Sequence, residues 1–254
     1  ELRLERRLFS LEEPARIDEG LAGMSLVLHC AGPFSRTSKA MADACLRTRT
    51  HYLDLTGEIA VFEALASRDA EARAAGVMLL PGSGFDVVPS DCLALHLLRR
   101  LPGARRLALA CAGFGRVSRG TAITAIEGLG RPGLVRRGGV LTPVPSAWKS
   151  RRIDFGEGPR TAITIPLGDL STAWHSTGIP DIEVYLAAPP GLRALAVASR
   201  YLGPVLGSAA VRRFLTARVR AGAPGPTEDE RRRGRAFVWG EVEDDEGRRA
   251  VVPG

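Results

Sequence analysis

A chain of 254 residues with 45% hydrophobic content can bury one large core or two modest ones, which excludes a disordered or low-complexity protein. The formal net charge of +7 would suit nucleic acid, but all but two of the 35 basic residues are arginines scattered without zinc-finger, RNP or basic-zipper spacing, so no nucleic-acid partner is expected. No charge-free apolar run is long enough to span a bilayer, the start at Glu1 lacks a signal-peptide pattern, and Cys30, Cys45, Cys92 and Cys111 show no C-x-x-C spacing. These features point to a cytoplasmic protein with small buried thiols and no metal site.

In chain order, residues 2–11 read as a strand and 14–21 as the helix after it. Residues 25–31 (SLVLHCA) form a continuous apolar run closed by Gly32-Pro33, the pattern of a strand buried on both faces. Residues 38–47 carry Ala40, Met41, Ala44 and Cys45 at helical spacing, with Ser35, Thr37 or Ser38 as the N-cap. Residues 51–55 return to strand character. Residues 58–75 place Ile59, Phe62, Leu65 and Ala66 on one stripe and stop at Gly76. A strand over 77–80 and a proline-opened helix over 89–100 complete a β-α-β-α-β-α series, which favours a parallel sheet with right-handed crossovers.

Beyond Leu101 the texture changes. A strand is expected over 107–112, a helix over 118–129, and strands over 139–144, 161–166 and 182–187, broken by glycine and proline. Residues 192–217 are helical in two pieces, interrupted by Gly203-Pro204, and residues 236–242 and 248–252 form a hairpin around Asp244-Asp-Glu-Gly247. The expected class is α/β: a partial Rossmann-type parallel sheet over 1–101, then a second α+β substrate domain over 102–254.

In such sheets ligands sit beyond the carboxyl ends of the strands, so the three following loops are the candidates for a site. They are Cys30-Ala-Gly-Pro-Phe34, Asp54-Leu-Thr-Gly-Glu58 and the connection from Gly82 to Asp91 that contains Asp86. Each has a plainer use as a turn or a helix cap, but three in succession favour a site. Ser83 is a poor nucleophile candidate, because the elbow motif G-x-S-x-G has Pro81 in place of its first glycine.

The blocks His29-Cys-Ala-Gly-Pro-Phe34, His51-Tyr-Leu-Asp-Leu-Thr-Gly-Glu58 and Gly84-Phe-Asp-Val-Val-Pro-Ser-Asp91, with Ser118-Arg-Gly-Thr121 and residues 171–185, resemble the saccharopine dehydrogenase-like oxidoreductases, including trans-acting enoyl reductases. The resemblance implies a Rossmann domain that binds NADP or NAD, with Gly32, Pro33 and Phe34 beside the cofactor and Thr56, Gly57, Glu58, Gly84, Phe85 and Asp86 lining the cleft. It implies a small-molecule or acyl/polyketide-type substrate, held by the second domain. The family's opening strand and Gly-x-x-Gly-x-x-Gly turn are absent, so the chain is expected to be the later part of such a protein. The only G-x-G-x-x-G, Gly128 to Gly133, follows a helical run and carries Pro132 where a helix would begin, which makes it a decoy.

The expected chemistry is hydride transfer from a reduced nicotinamide to a C=C or C=N bond, with a protein group supplying the proton. Candidates for that group are Tyr52, Asp86, His175 and Tyr185. The rival to an enzyme is an interaction protein that docks on a membrane surface or an acyl carrier through residues 192–214, an apolar helical segment edged by Arg193, Arg200, Arg212 and Arg213; the same pattern fits a core helix with a solvated rim, which is the preferred reading of the segment.

Overall fold

The computed structural model describes residues 6–113, 119–222 and 225–253. They form two compact units, the first ending at Val88 and the second beginning at Pro89, so the helix over 88–100 belongs with the second unit.

In the first unit, α1 (Pro14–Leu21) leads into β1 (Leu26–His29), α2 (Phe34–Thr48), β2 (His51–Asp54), α3 (Ile59–Ala66), α4 (Asp69–Ala75) and β3 (Leu79–Leu80). The strands lie in the order β1-β2-β3, all parallel, with Val27 opposite Tyr52 and Tyr52 opposite Leu79. Because side chains alternate across a strand, Val27, Tyr52 and Leu79 share one face. That face packs on Ile17, Leu21, Met41, Cys45, Val61 and Leu65 of the helices.

Several expectations are corrected here. The run 25–31 is not buried on both faces: Leu26 and Leu28 are 46% and 51% exposed, because they point away from the helix-covered face. The strand expected over 2–11 is not formed by residues 6–10, and residues 1–5 lie outside the described residues. Instead the Arg7 guanidinium donates to the carbonyls of Gly20 and Ala22 at 3.1 and 2.8 Å and Phe9 packs over Gly20, which lays this segment across the end of α1. The helix expected over 58–75 breaks at Ser67-Arg68. The Ser67 hydroxyl donates to Ala64 O, and Arg68 turns to meet Asp43 of α2 at 2.6 Å and Glu71 at 2.9 Å. The thiols are also less uniform than expected, since Cys45 alone is fully buried and Cys30 and Cys92 are exposed.

The second unit holds α5 (Val88–Arg100), β4 (Arg106–Ala112), α6 (Arg119–Glu127), β5 (Gly133–Arg137), β6 (Val140–Val144), β7 (Ser150–Asp154), β8 (Pro159–Thr164), α7 (Asp169–Thr177) and β9 (Asp181–Ala187). The chain continues through α8 (Pro190–Leu206), α9 (Ala209–Ala221), α10 (Glu228–Arg233), β10 (Phe237–Glu243) and β11 (Arg249–Val252). Eight strands make one mixed sheet with the path β11-β10-β4-β9-β5-β6; the β7-β8 hairpin joins it through β9. Within this sheet, among the described residues, β4 and β9 are the pair that runs parallel and the other pairings are antiparallel. One sheet face carries Ala110, Tyr185 and Trp239 with Ile153 and Phe155, and α5 approaches β10 so closely that a Cβ on Gly240 would meet Leu97 and Leu93. Strands β5 and β7 and helix α7 have no counterpart in the sequence expectation.

The helical stretch near the end is also corrected. Helix α8 continues through Gly203-Pro204 and stops only at Gly207, after which Ser208 caps α9 by accepting the Val211 N–H. The axes differ by 115°, and among the described residues no single helix is long and apolar enough to cross a membrane. The corner rests on Gly130, which has φ +76°, and a Cβ there would run into the Gly203 carbonyl and lie 2.7 Å from the Gly207 Cα. Gly130→Ala combines left-handed backbone with a backbone clash, and is expected to lower unfolding stability by about 2–3 kcal/mol in a urea titration. Gly103→Ala, which meets nothing within 4 Å, serves as the control.

Candidate functional site

The loops after β1, β2 and β3 leave the same edge of a parallel sheet, and one carboxylate holds two of them together. Tyr52 and Asp54 are two residues apart in β2, so their side chains share the helix-covered face and the Tyr52 hydroxyl donates to Asp54 Oδ2 at 2.6 Å. Asp54 Oδ1 accepts the N–H of Thr56 at 3.0 Å and of Gly82 at 2.8 Å. The Asp54 carbonyl accepts both the N–H and the hydroxyl of Ser83, at 2.8 and 3.0 Å. Asp54 is fully buried, and three donors on its side chain replace the water it has lost. Burial, reinforced by the hydrogen bond to Asp54, pushes the Tyr52 phenol well above its usual range. Gly82 is required where it stands: φ is +73°, and a Cβ would lie 2.6 Å from the Phe62 ring.

The same two-residue step carries the order further. Thr56 Oγ1 accepts the Glu58 N–H at 3.0 Å, and the Glu58 carboxylate crosses to the loop after β1, accepting the N–H groups of Phe34 at 2.8 Å and Ser35 at 3.2 Å. Glu58 thus caps α2 from another loop, and its charge sits where the helix dipole is positive. This corrects the expected cap: α2 starts at Phe34, and none of Ser35, Thr37 and Ser38 caps it. The Thr37 hydroxyl donates instead to Ala31 O at 2.7 Å, which leaves its oxygen to accept from Nε2 of buried His29 at 2.9 Å. His29 also meets the Phe34 ring edge-on, with centroids 5.6 Å apart.

With Asp54 and Thr56 turned inward, Leu55 and Gly57 face solvent. Gly32, Pro33, Phe85 and Asp86 are likewise exposed, and the Asp86 carboxylate lies 4.0 Å from where a Cβ on Gly57 would stand. Asp86 makes no hydrogen bond among the described residues. The loops therefore present small residues, two apolar side chains and one free carboxylate along a shared edge, on a frame fixed by Asp54 and Glu58.

The structure thus brings together Gly32, Pro33, Phe34, Thr56, Gly57, Glu58, Gly84, Phe85 and Asp86, though not all in ligand-facing roles. Phe34, Thr56 and Glu58 are internal supports. Tyr52 is corrected as a proton donor to a ligand, because its hydroxyl is buried against Asp54. Tyr185 is 4% exposed and its hydroxyl donates to Glu183, which Arg137 and Lys149 also bind. Ser83 donates to carbonyls and is no nucleophile. His175 is exposed in the last turn of α7, in the second unit. Ser118 lies outside the described residues, as does the side chain of Thr121. The second unit has a groove of its own, of about 580 Å³, between the β7-β8 hairpin and α8, lined by Thr161, Ile163, Ala194, Val197 and Tyr201 with Arg193 among them. Sequence reasoning missed Asp54 as the hub; the inward alternation of 54, 56 and 58 was the available signal.

Residues 2–80 match the family model of the saccharopine dehydrogenase NADP binding domain, which supports NADP or NAD as the cofactor. The chain is 31% identical over 94 residues to a mouse saccharopine dehydrogenase-like oxidoreductase, covering 37% of this chain and 22% of that protein. It is 38% identical over 85 residues to a trans-acting enoyl reductase of Mycobacterium leprae, covering 33% and 20%. The matches thus span about a fifth of the length of these relatives. In fold it is similar to the apo saccharopine dehydrogenase (L-Glu forming) of Saccharomyces cerevisiae, with a TM-score of 0.55 at 12% identity, covering 96% of this chain and 72% of that one.

Two tests follow from the hub. Asp54→Asn keeps an oxygen for both N–H groups and is expected to cost about 1–2 kcal/mol, whereas Asp54→Ala strands three buried donors and is expected to cost at least about 3 kcal/mol in chemical denaturation. Equal losses would show that the charge, not the acceptor geometry, matters. For His29, burial holds the imidazole below its ordinary value of 6.5, with the Asp54 charge opposing in part. The unfolded chain then binds the proton more readily, so this contribution is present above pH 6.5 and is lost as pH falls below it. Thermal unfolding between about pH 7 and pH 5.5 is expected to fall less steeply in His29→Gln than in the wild type.

Proposed function

We propose that the first unit is the nicotinamide-facing part of an NAD(P)H-dependent oxidoreductase that transfers hydride to a polarised C=C or C=N bond. The carrying observation is the knitted edge: Asp54 and Glu58 fix three loops so that Gly32, Pro33, Leu55, Gly57 and Phe85 lie outward together. A flat ring fits such an edge, because glycine admits it to the backbone and Leu55 and Phe85 offer apolar surface. The match to an NADP binding domain supports the same reading.

Within a Rossmann sheet the pyrophosphate rests on a glycine-rich turn at a helix N-terminus. The α2 N-terminus does not fit that task, since the Glu58 carboxylate already occupies it. The fit is therefore to the nicotinamide half, with Gly32, Pro33, Gly57, Gly84 and Phe85 as the contacts. When bound, a reduced nicotinamide supplies the hydride. The chain's own part is to hold the ring edge against fixed backbone, to exclude water with Leu55 and Phe85, and to supply a proton. Asp86 is the exposed carboxyl on these loops and the first candidate for that proton, with His175 of the second unit the other. The substrate class is a small molecule with an acyl or polyketide-type chain, for which the apolar groove beside α8 offers a complementary lining.

Fluorescence titration with NADPH and NADH tests this. Binding is expected, weakened about tenfold or more by Gly57→Val and several-fold by Phe85→Ala, since a branched side chain and a lost ring contact each remove roughly 1 kcal/mol or more. Cofactor affinity unchanged in Gly57→Val, or no binding of either nucleotide, would overturn the assignment. In turnover assays Asp86→Asn is expected to lower kcat by about tenfold or more, and His175→Gln to leave it within about twofold.

A further inference from the structure

Helices α8 and α9 differ from a core-packed pair. Neither has a fully buried side chain among the described residues, yet both are rich in apolar ones. Tyr201 is 81% exposed, Val205 61% and Phe214 63%, with Leu202 exposed beside them. The stretch 190–222 holds six arginines and no acidic residue.

Two of these arginines fasten the pair to the second unit. Arg200 donates to the carbonyls of Ser146 and Ala147, and Arg212 donates to Leu129 O at 3.1 Å. The close backbone approach at Gly130, Gly203 and Gly207 does the same at the corner. Ala196 packs on the small cluster of Ala147, Ile163 and Ala188, and the attachment as a whole leaves Tyr201, Leu202, Val205 and Phe214 outward. Arg193, Arg213, Arg218 and Arg220 have no carboxylate partner among the described residues, and Arg218 lies over the Phe214 ring at 5.9 Å.

Exposed apolar side chains flanked by uncompensated cations on a helix pair complement one kind of surface: an apolar layer edged with phosphates. A second copy of the chain would bring like charges face to face. A bilayer-spanning role is opposed by the 115° bend and by arginines along both helices. We infer that α8 and α9 form a peripheral docking surface for an anionic phospholipid bilayer. Leu202, Val205 and Phe214 enter the headgroup boundary, and Arg193, Arg213, Arg218 and Arg220 meet lipid phosphates. The inference stands independently of the oxidoreductase assignment.

Co-sedimentation of the chain with phosphatidylcholine vesicles, with and without one third phosphatidylglycerol, tests it. Partitioning is expected to be roughly tenfold or more stronger on the anionic vesicles, and to weaken when salt is raised from about 0.1 M to about 0.5 M. Val205→Ser with Phe214→Ser is expected to reduce binding several-fold, and Arg213→Glu with Arg218→Glu to abolish the preference for phosphatidylglycerol. Circular dichroism confirms that these surface variants remain folded, and the salt series on the unaltered chain needs no variant. Absence of binding to anionic vesicles, equal binding to neutral ones, or binding indifferent to the apolar pair would overturn the proposal. So would a dimer in gel filtration that Val205→Ser with Phe214→Ser returns to monomer, since the face would then be a self-association surface.

Discussion

A buried charge must be matched or the fold does not form, and in the first unit that requirement falls on Asp54. Its side chain closes on a phenol from its own strand and on two backbone N–H groups from different loops, while its carbonyl receives Ser83. Each acceptor site thereby fixes a piece of chain whose position would otherwise be free. The rest of the edge inherits that order: Thr56 sets Glu58, Glu58 sets the start of α2, and the start of α2 orients Phe34 against His29. A ligand meeting this edge finds backbone that is already placed, and so incurs little ordering cost on binding.

Polar residues of a candidate site divide here into those that face a ligand and those that hold the frame, and burial separates them. Tyr52, Asp54 and Thr56 are wholly inside, while Gly57, Phe85 and Asp86 are outside. The contrast with the second unit is one of means. There, guanidinium groups lie over aromatic rings: Arg151 over Trp239, Arg160 over Phe237, and Arg137 and Lys149 over Trp148. Arginine's flat, weakly hydrated head suits this stacking, so part of the strongly basic composition is used within the fold itself.

Much of the fold was legible in the sequence because it depends on local periodicity and punctuation. The apolar run of β1, the strand character of β2, the helical spacing of α2, the proline that opens α5, and the Asp-Asp-Glu-Gly turn between β10 and β11 each announce themselves over a few residues. The failures have physical reasons of the opposite kind. Pro204 does not break α8, because the close packing at Gly130, Gly203 and Gly207 and the Arg200 bonds hold the helix through it; the break comes at Gly207-Ser208, where a cap is available. Likewise the Glu58-to-Ala75 stripe is split at Ser67-Arg68 by an ion pair with Asp43, which is distant in sequence.

By itself the sequence determined the alternation of strand and helix, the parallel sheet that follows from it, the three loops at its carboxyl edge and the family resemblance those loops carry. Only the tertiary structure decided which residues of the loops face outward, that Glu58 rather than a local serine or threonine caps α2, that Leu26 and Leu28 lie on an uncovered face, and that Tyr201, Leu202, Val205 and Phe214 of α8 and α9 stand in solvent. The reason is that periodicity records which side chains share a face, whereas burial and hydrogen-bond partnership depend on what the rest of the chain brings to that face.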